Sequence, residues 1–120
     1  MKVFTVRDPV FKTEPLFVLG CTHAKLNTYL KRYRVTAGTD DAGQHVGQML
    51  TFEQPPWRVV WSERLDAGIV LHEVFHLVTR ICQDRGIAIR AVNGDGELGD
   101  ETAAYLFEFF ARAVLRRVKP

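Results

Sequence analysis

Ser62-Glu63-Arg64-Leu65-Asp66-Ala67-Gly68-Ile69-Val70-Leu71-His72-Glu73-Val74-Phe75-His76-Leu77-Val78-Thr79-Arg80-Ile81-Cys82-Gln83-Asp84-Arg85-Gly86 is the stretch that organises this chain. It reads as one amphipathic helix, with Ser62 as its N-cap and Gly86 as the stop after Arg85. With His72 set at zero, Val74, Phe75, Leu77, Val78, Ile81 and Cys82 fall between about 140° and 300°. His72, Glu73, His76, Thr79, Arg80 and Gln83 fall between roughly −20° and 100°. One face is expected to enter a core, and the other to look toward solvent or a cleft. Within the polar face stands His72-Glu73-Val74-Phe75-His76, an HExxH motif. Its two imidazoles project about one turn apart and can reach one tetrahedral Zn²⁺. Glu73 lies roughly 100° round from His72, displaced from a ligand position and placed as a general base. A chain with four histidines would show this pattern by chance on the order of once in one to two hundred shuffles. The surrounding sequence therefore has to carry part of the argument.

Working outward, residues 3–6 and 15–19 read as strands, the second ending at Gly20. Thr22 can cap a helix reaching about Tyr33, with Leu26, Tyr29, Leu30 and Tyr33 at helical spacing. Residues 37–47 are rich in Gly and Asp and read as loop. Two further strands are expected at residues 48–53 and 57–62, with Pro55-Pro56 turning between them. Residues 87–92 form a short apolar run of extended character. Residues 93–100 are an acidic turn that lacks the Gly and the bidentate Glu of an EF-hand, since Leu98 and Ala104 stand in those places. A last helix is expected from near Asp100 to about Val118. Its polar stripe, Glu101, Tyr105, Glu108, Arg112 and Arg116, spans about 80° of arc, and Glu108 and Arg112 are spaced for an i,i+4 pair.

These elements predict an α+β fold: a single zincin-like domain over residues 1–120. A small, mostly antiparallel sheet of about 3–4 strands packs on three helices, with HExxH on the middle one. A length of 120 residues, 47% hydrophobic and 25% charged, suits one compact core. The net charge of +2 is too small to argue for nucleic acid. The basic residues Lys31, Arg32 and Arg34, and Arg112, Arg116, Arg117 and Lys119, read as solvated helix faces. No stretch approaches 18 apolar residues, and residues 1–8 lack the apolar run of a signal peptide. Cys21 and Cys82 form no CxxC pair, and free thiols in an intracellular protein are the expectation.

A catalytic zinc takes three protein ligands and keeps one position open. His23 and His45 are distant histidines in weak contexts, and Cys82 points to the apolar face. A carboxylate from the following helix is the other solution. Glu101 opens that helix and is the expected third ligand, with Asp100, Asp95, Glu97, a histidine or no third ligand as alternatives.

HEVFH, then Asp84-Arg85-Gly86-Ile87, then Gly99-Asp100-Glu101-Thr102-Ala103-Ala104-Tyr105-Leu106, together with Cys21-Thr22 at a helix start, resembles the small zinc metallopeptidases of tailed phages and prophages. Gly99 replaces the Asn of that family's Asn-Asp-Glu, and Tyr105 stands where thermolysin-like gluzincins carry Asp. The resemblance implies His72, His76 and Glu101 as zinc ligands and Glu73 as base. It also implies Tyr105 as a hydrogen-bond donor behind a ligand or toward the reacting oxyanion. A zinc-dependent peptide-bond hydrolase in the host cytoplasm or virion is the expected function, acting on a peptide or protein, with a phage structural protein as a possible partner. Residues 57–61, as an edge strand, could hold an extended substrate by β-addition. The competing expectation is a non-catalytic virion or assembly protein that keeps the fold. Neither nucleic acid nor membrane is expected as a partner.

Overall fold

The computed structural model describes residues 1–38, 45–87 and 98–118. It is an α+β domain in which one four-stranded mixed sheet separates two apolar layers. In chain order the elements are β1 (Lys2–Thr5), β2 (Leu16–Leu19), α1 (His23–Leu30), β3 (Gly47–Thr51), β4 (Arg58–Ser62), α2 (Ala67–Asp84) and α3 (Leu98–Val118), with a single 3₁₀ turn (Lys31–Tyr33) after α1. The strand order is β1-β2-β4-β3. β1 runs antiparallel to β2 and β3 antiparallel to β4, while the central pair β2 and β4 is parallel. The mixed sheet is thus antiparallel at two of its three pairings, as expected.

Period-two alternation explains how one sheet serves two cores. Leu16 and Val18 of β2 and Val59 and Trp61 of β4 face α1, where they pack on Leu26 and Leu30. Phe17, Leu19 and Val60 face the other way, against Val70, Val74, Leu77, Ile81, Leu106 and Phe110 of α2 and α3. β2 and β4 are covered on both faces, which accounts for their continuous apolar runs. Trp61 is buried, and its indole N–H donates to the Cys21 carbonyl at 2.9 Å.

Several boundaries differ from the sequence expectation. Ser62 does not cap α2: it ends β4, and its hydroxyl donates to the Arg64 carbonyl. The cap is Asp66, whose side chain accepts from the Ile69 amide at 3.1 Å. Both residues are good caps by type, and the strand register claims the first. Gly86 does end α2, at φ +68°, a conformation that suits a residue without Cβ. Thr22 caps α1 as expected, but the helix tightens at Leu30 into the 3₁₀ turn. Residues 57–61 are not an edge strand: β4 is interior, and β3 holds the edge. Trp57 itself is exposed in the turn that follows Pro55-Pro56. The expected extended run at residues 87–92 and the acidic turn at 93–100 lie largely outside the described residues. Both cysteines are free thiols in the two cores.

Candidate active site

The polar face of α2 lies under β3. His72 and His76 are both exposed, four residues apart, with their Nε2 atoms 3.2 Å from each other and their rings nearly perpendicular. Two nitrogens bound to one tetrahedral zinc at about 2.0–2.1 Å stand about 3.3 Å apart. The spacing of these side chains therefore fits a shared metal ion. Glu73 behaves differently from its neighbours. It is only 8% exposed, and its Oε2 lies 4.0 Å from His72 Nε2.

Gly47, the first residue of β3, is what allows Glu73 to sit there. A methyl group at Gly47 would stand 3.0 Å from Ile69 Cγ2, 3.2 Å from Glu73 Cγ and 3.2 Å from the Trp61 carbonyl. A bare backbone at this point lets the strand close down on the carboxylate. Burial pushes the Glu73 carboxyl above its ordinary range, and His72, His76, His45 and a backbone hydrogen bond from Met49 pull it partly back. A carboxylate held this way is a better proton acceptor than one in water.

Between β3 and α2 runs a cleft of about 580 Å³, with His72, Glu73 and His76 on its floor, Gly47 and Met49 on its wall, and Thr79 and Arg80 farther along. His45, at the mouth of β3, also lines this cleft and contributes to the field at Glu73. His23 does not approach it. That ring packs edge-on against Trp61 at 5.3 Å, and Trp61 belongs to the α1 layer. Of the two distant histidines, only His45 is brought to the motif. Its position follows from the β3 register, which sequence spacing does not reveal.

The structure unites His72, Glu73 and His76 but places Glu101 and Tyr105 elsewhere. Both are exposed on α3, and neither is among the described residues that line the cleft. Among the described residues, no group of three His, Cys, Asp or Glu side chains is assembled for a metal. Asp95, Glu97 and the side chain of Asp100 lie outside the described residues. The remaining stripe of α3 is solvated as expected, with Arg112 Nη2 2.6 Å from Glu108 Oε1. Phe75, assigned to the apolar face by its angle, is 58% exposed instead. It borders a small apolar hollow of about 240 Å³ with Val78, Thr79, Ala103, Ala104 and Phe107. α3 covers the centre of the apolar face and leaves its margin open.

The feature that sequence reading missed is the edge strand. In an antiparallel pair, alternate residues turn their backbone groups toward the partner. Val46 C=O accepts from Glu63, and Phe52 N–H donates to Trp57. The even-numbered residues of β3 therefore face β4, and the backbone groups of Gly47, Met49 and Thr51 face the edge above α2 that no described strand pairs. No family model, curated protein or solved structure matches this chain. Among the described residues, no helix is long and apolar enough to cross a membrane.

Proposed function

We propose that this chain is a zinc-dependent peptide-bond hydrolase. The observation that carries the reading is the joint placement of His72 and His76, Nε2 atoms 3.2 Å apart, beside a buried Glu73 under a strand edge left unpaired among the described residues. His72 and His76 would hold the zinc, with Glu101 as the proposed third ligand. Zinc, when bound, polarises a carbonyl and makes water acidic enough to attack near neutral pH. The rest is done by the chain. Glu73 accepts the proton of the attacking water on its carboxylate and returns it to the departing amine nitrogen. Its upward-shifted carboxyl favours the first transfer, because a more basic carboxylate takes the proton of the water more readily. The backbone groups of Gly47 and Thr51, with the Met49 carbonyl, can pair with an extended peptide and hold it along the cleft, while the Met49 N–H stays on Glu73. Tyr105 is proposed as a donor near the reacting oxyanion, which would require the start of α3 to approach the cleft when metal and substrate are bound.

A small domain with an open cleft suits a protein or peptide substrate that brings its own extended strand. The resemblance to phage-encoded metallopeptidases makes a phage structural protein one candidate for that partner. Zinc content of the purified protein tests the reading. About one zinc per chain is expected, lost in His72→Ala and His76→Ala and reduced in Glu101→Ala. Peptide hydrolysis should follow zinc content and vanish in Glu73→Gln. A chain that takes up no zinc when it is offered would instead be a non-catalytic assembly protein.

A further inference from the structure

Arg80 stands on α2 one turn beyond His76, about 6 Å along the helix axis, and lines the same cleft. It is not a loosely solvated side chain. Its Nε lies 3.3 Å from Asp84 Oδ1, while the other oxygen of that carboxylate is taken by Arg58 Nη2. Arg58 is itself anchored, donating from Nη1 to the Trp57 carbonyl at 3.1 Å. One carboxylate thus serves two guanidinium groups, and the trio keeps a charge of +1. Arg80 uses only its Nε in this contact. Its two terminal nitrogens have no partner among the described residues, and the side chain is 45% exposed. Apart from the histidines, Arg80 is the only cationic side chain among the described residues of the cleft.

A guanidinium held by one edge, with its remaining donors open, matches a carboxylate in a planar, bidentate fashion. Its distance from the metal-facing histidines defines where that carboxylate sits. An extended chain advances about 3.3 Å per residue, so about 6 Å corresponds to one or two residues from the bond over His72 and His76. We propose that Arg80 is the substrate's carboxylate anchor, selecting peptides with a negative group one or two residues from the scissile bond. This inference rests on the peptidase reading and supplies its substrate class. The carboxylate is either the peptide's own C-terminus, which would make the enzyme trim short C-terminal fragments, or an Asp or Glu side chain.

Binding, rather than turnover, separates this inference from the reading beneath it. The zinc-supplemented Glu73→Gln protein is dialysed against pools of acetylated tetrapeptides, and the bound fraction is measured by mass spectrometry. One pair of pools differs only in a free or amidated C-terminus. A second, fully amidated pair carries Glu or Gln at one position. The expected result is about ten- to a hundredfold preference for the carboxylate in one pair. The pair that shows it identifies the source. Adding Arg80→Gln should abolish the preference while leaving the amide and Gln pools unchanged, and Arg80→Lys should restore part of it. Because Arg58 still holds Asp84, the loss of Arg80 should leave the fold intact, as circular dichroism would report. Equal binding of charged and neutral pools, no binding of any, or a preference that survives Arg80→Gln overturns the proposal. Absence of zinc with the carboxylate preference intact would sink the peptidase reading alone.

Discussion

Gly47 and Glu73 meet across the gap between β3 and α2 with no room for a side chain on the strand: a methyl group at residue 47 would stand 3.2 Å from Glu73 Cγ. The identity of one residue on the strand therefore sets how deep the carboxylate of the other lies. Gly47→Ala should destabilise the protein by about 1–3 kcal/mol, the usual cost of overpacking a filled site. It should also lower peptide hydrolysis more than zinc content, since the crowded group is the base and not a ligand. Urea denaturation and metal analysis on the same preparation check both parts, and an unchanged denaturation midpoint would contradict this account of the strand's approach.

Glu73 has a pH signature in the zinc-free protein. Its carboxyl is shifted upward from an ordinary 4.5, chiefly by burial, so the folded chain binds its proton more tightly than the unfolded chain. In that window the folded state carries more protons, and stability falls as pH rises from about 4.5 through the folded value. Glu73→Gln removes the effect. With chelator present, the variant should be at least as stable as wild type at neutral pH, and the difference should shrink toward acid. A wild type that gains on the variant as pH rises would reverse the sign and refute the burial argument.

Asp66 fixes the start of α2 through its bond to the Ile69 amide. Asp66→Ala should cost about 0.5–2 kcal/mol, and Asp66→Asn much less, because either Asx side chain can accept that bond. The same comparison at Ser62, the residue first expected to be the cap, should show no such difference between acceptors. Thermal unfolding of the four variants is sufficient to tell.

Phe110 is buried where α3 meets α2, near Phe17 of the sheet at a ring separation of 6.4 Å. Phe110→Ala should cost about 3–5 kcal/mol, as large aromatic truncations in cores do. If α3 supplies Glu101 to the metal, loosening its seat on α2 should lower zinc affinity along with stability. A variant that loses stability but binds zinc like wild type would argue against a ligand from α3.

Much of this was legible in the chain because two periodicities are strong. Val59, Val60 and Trp61 alternate between layers, and Val74, Leu77, Val78 and Ile81 recur at helical spacing, so the strand and the helix announce themselves. The HExxH triplet follows from helix geometry alone. What could not be read was order across the sheet. Nothing local tells Val59 that its neighbour is Leu16, 43 positions earlier, in a parallel pair. For that reason the expected edge position of β4 is wrong, and the placement of His45 beside β3 is not foreseen. Phe75 departs from its expected burial for a related reason: an angle says which way a side chain points, but not how wide the covering helix is. The cap moved from Ser62 to Asp66 because two residues with the same chemistry compete, and hydrogen bonding to a neighbouring strand decides between them.

The cleft is built from one unbroken piece of chain, running from His45 through the β3–β4 hairpin into α2 and ending at Gln83. β1, β2, α1 and α3 prop this piece from outside and contribute no described residue to its lining. Its walls belong to one segment even though Gly47 and Glu73 meet from well-separated positions, so the piece can open and close as a single cooperative unit. Amide protons of residues 58–62 and 70–82 should then exchange with solvent at a shared rate, and zinc should slow them together. The same continuity makes the cleft portable: a segment of this kind can be lifted onto another sheet of matching strand order without redrawing the rest of the protein.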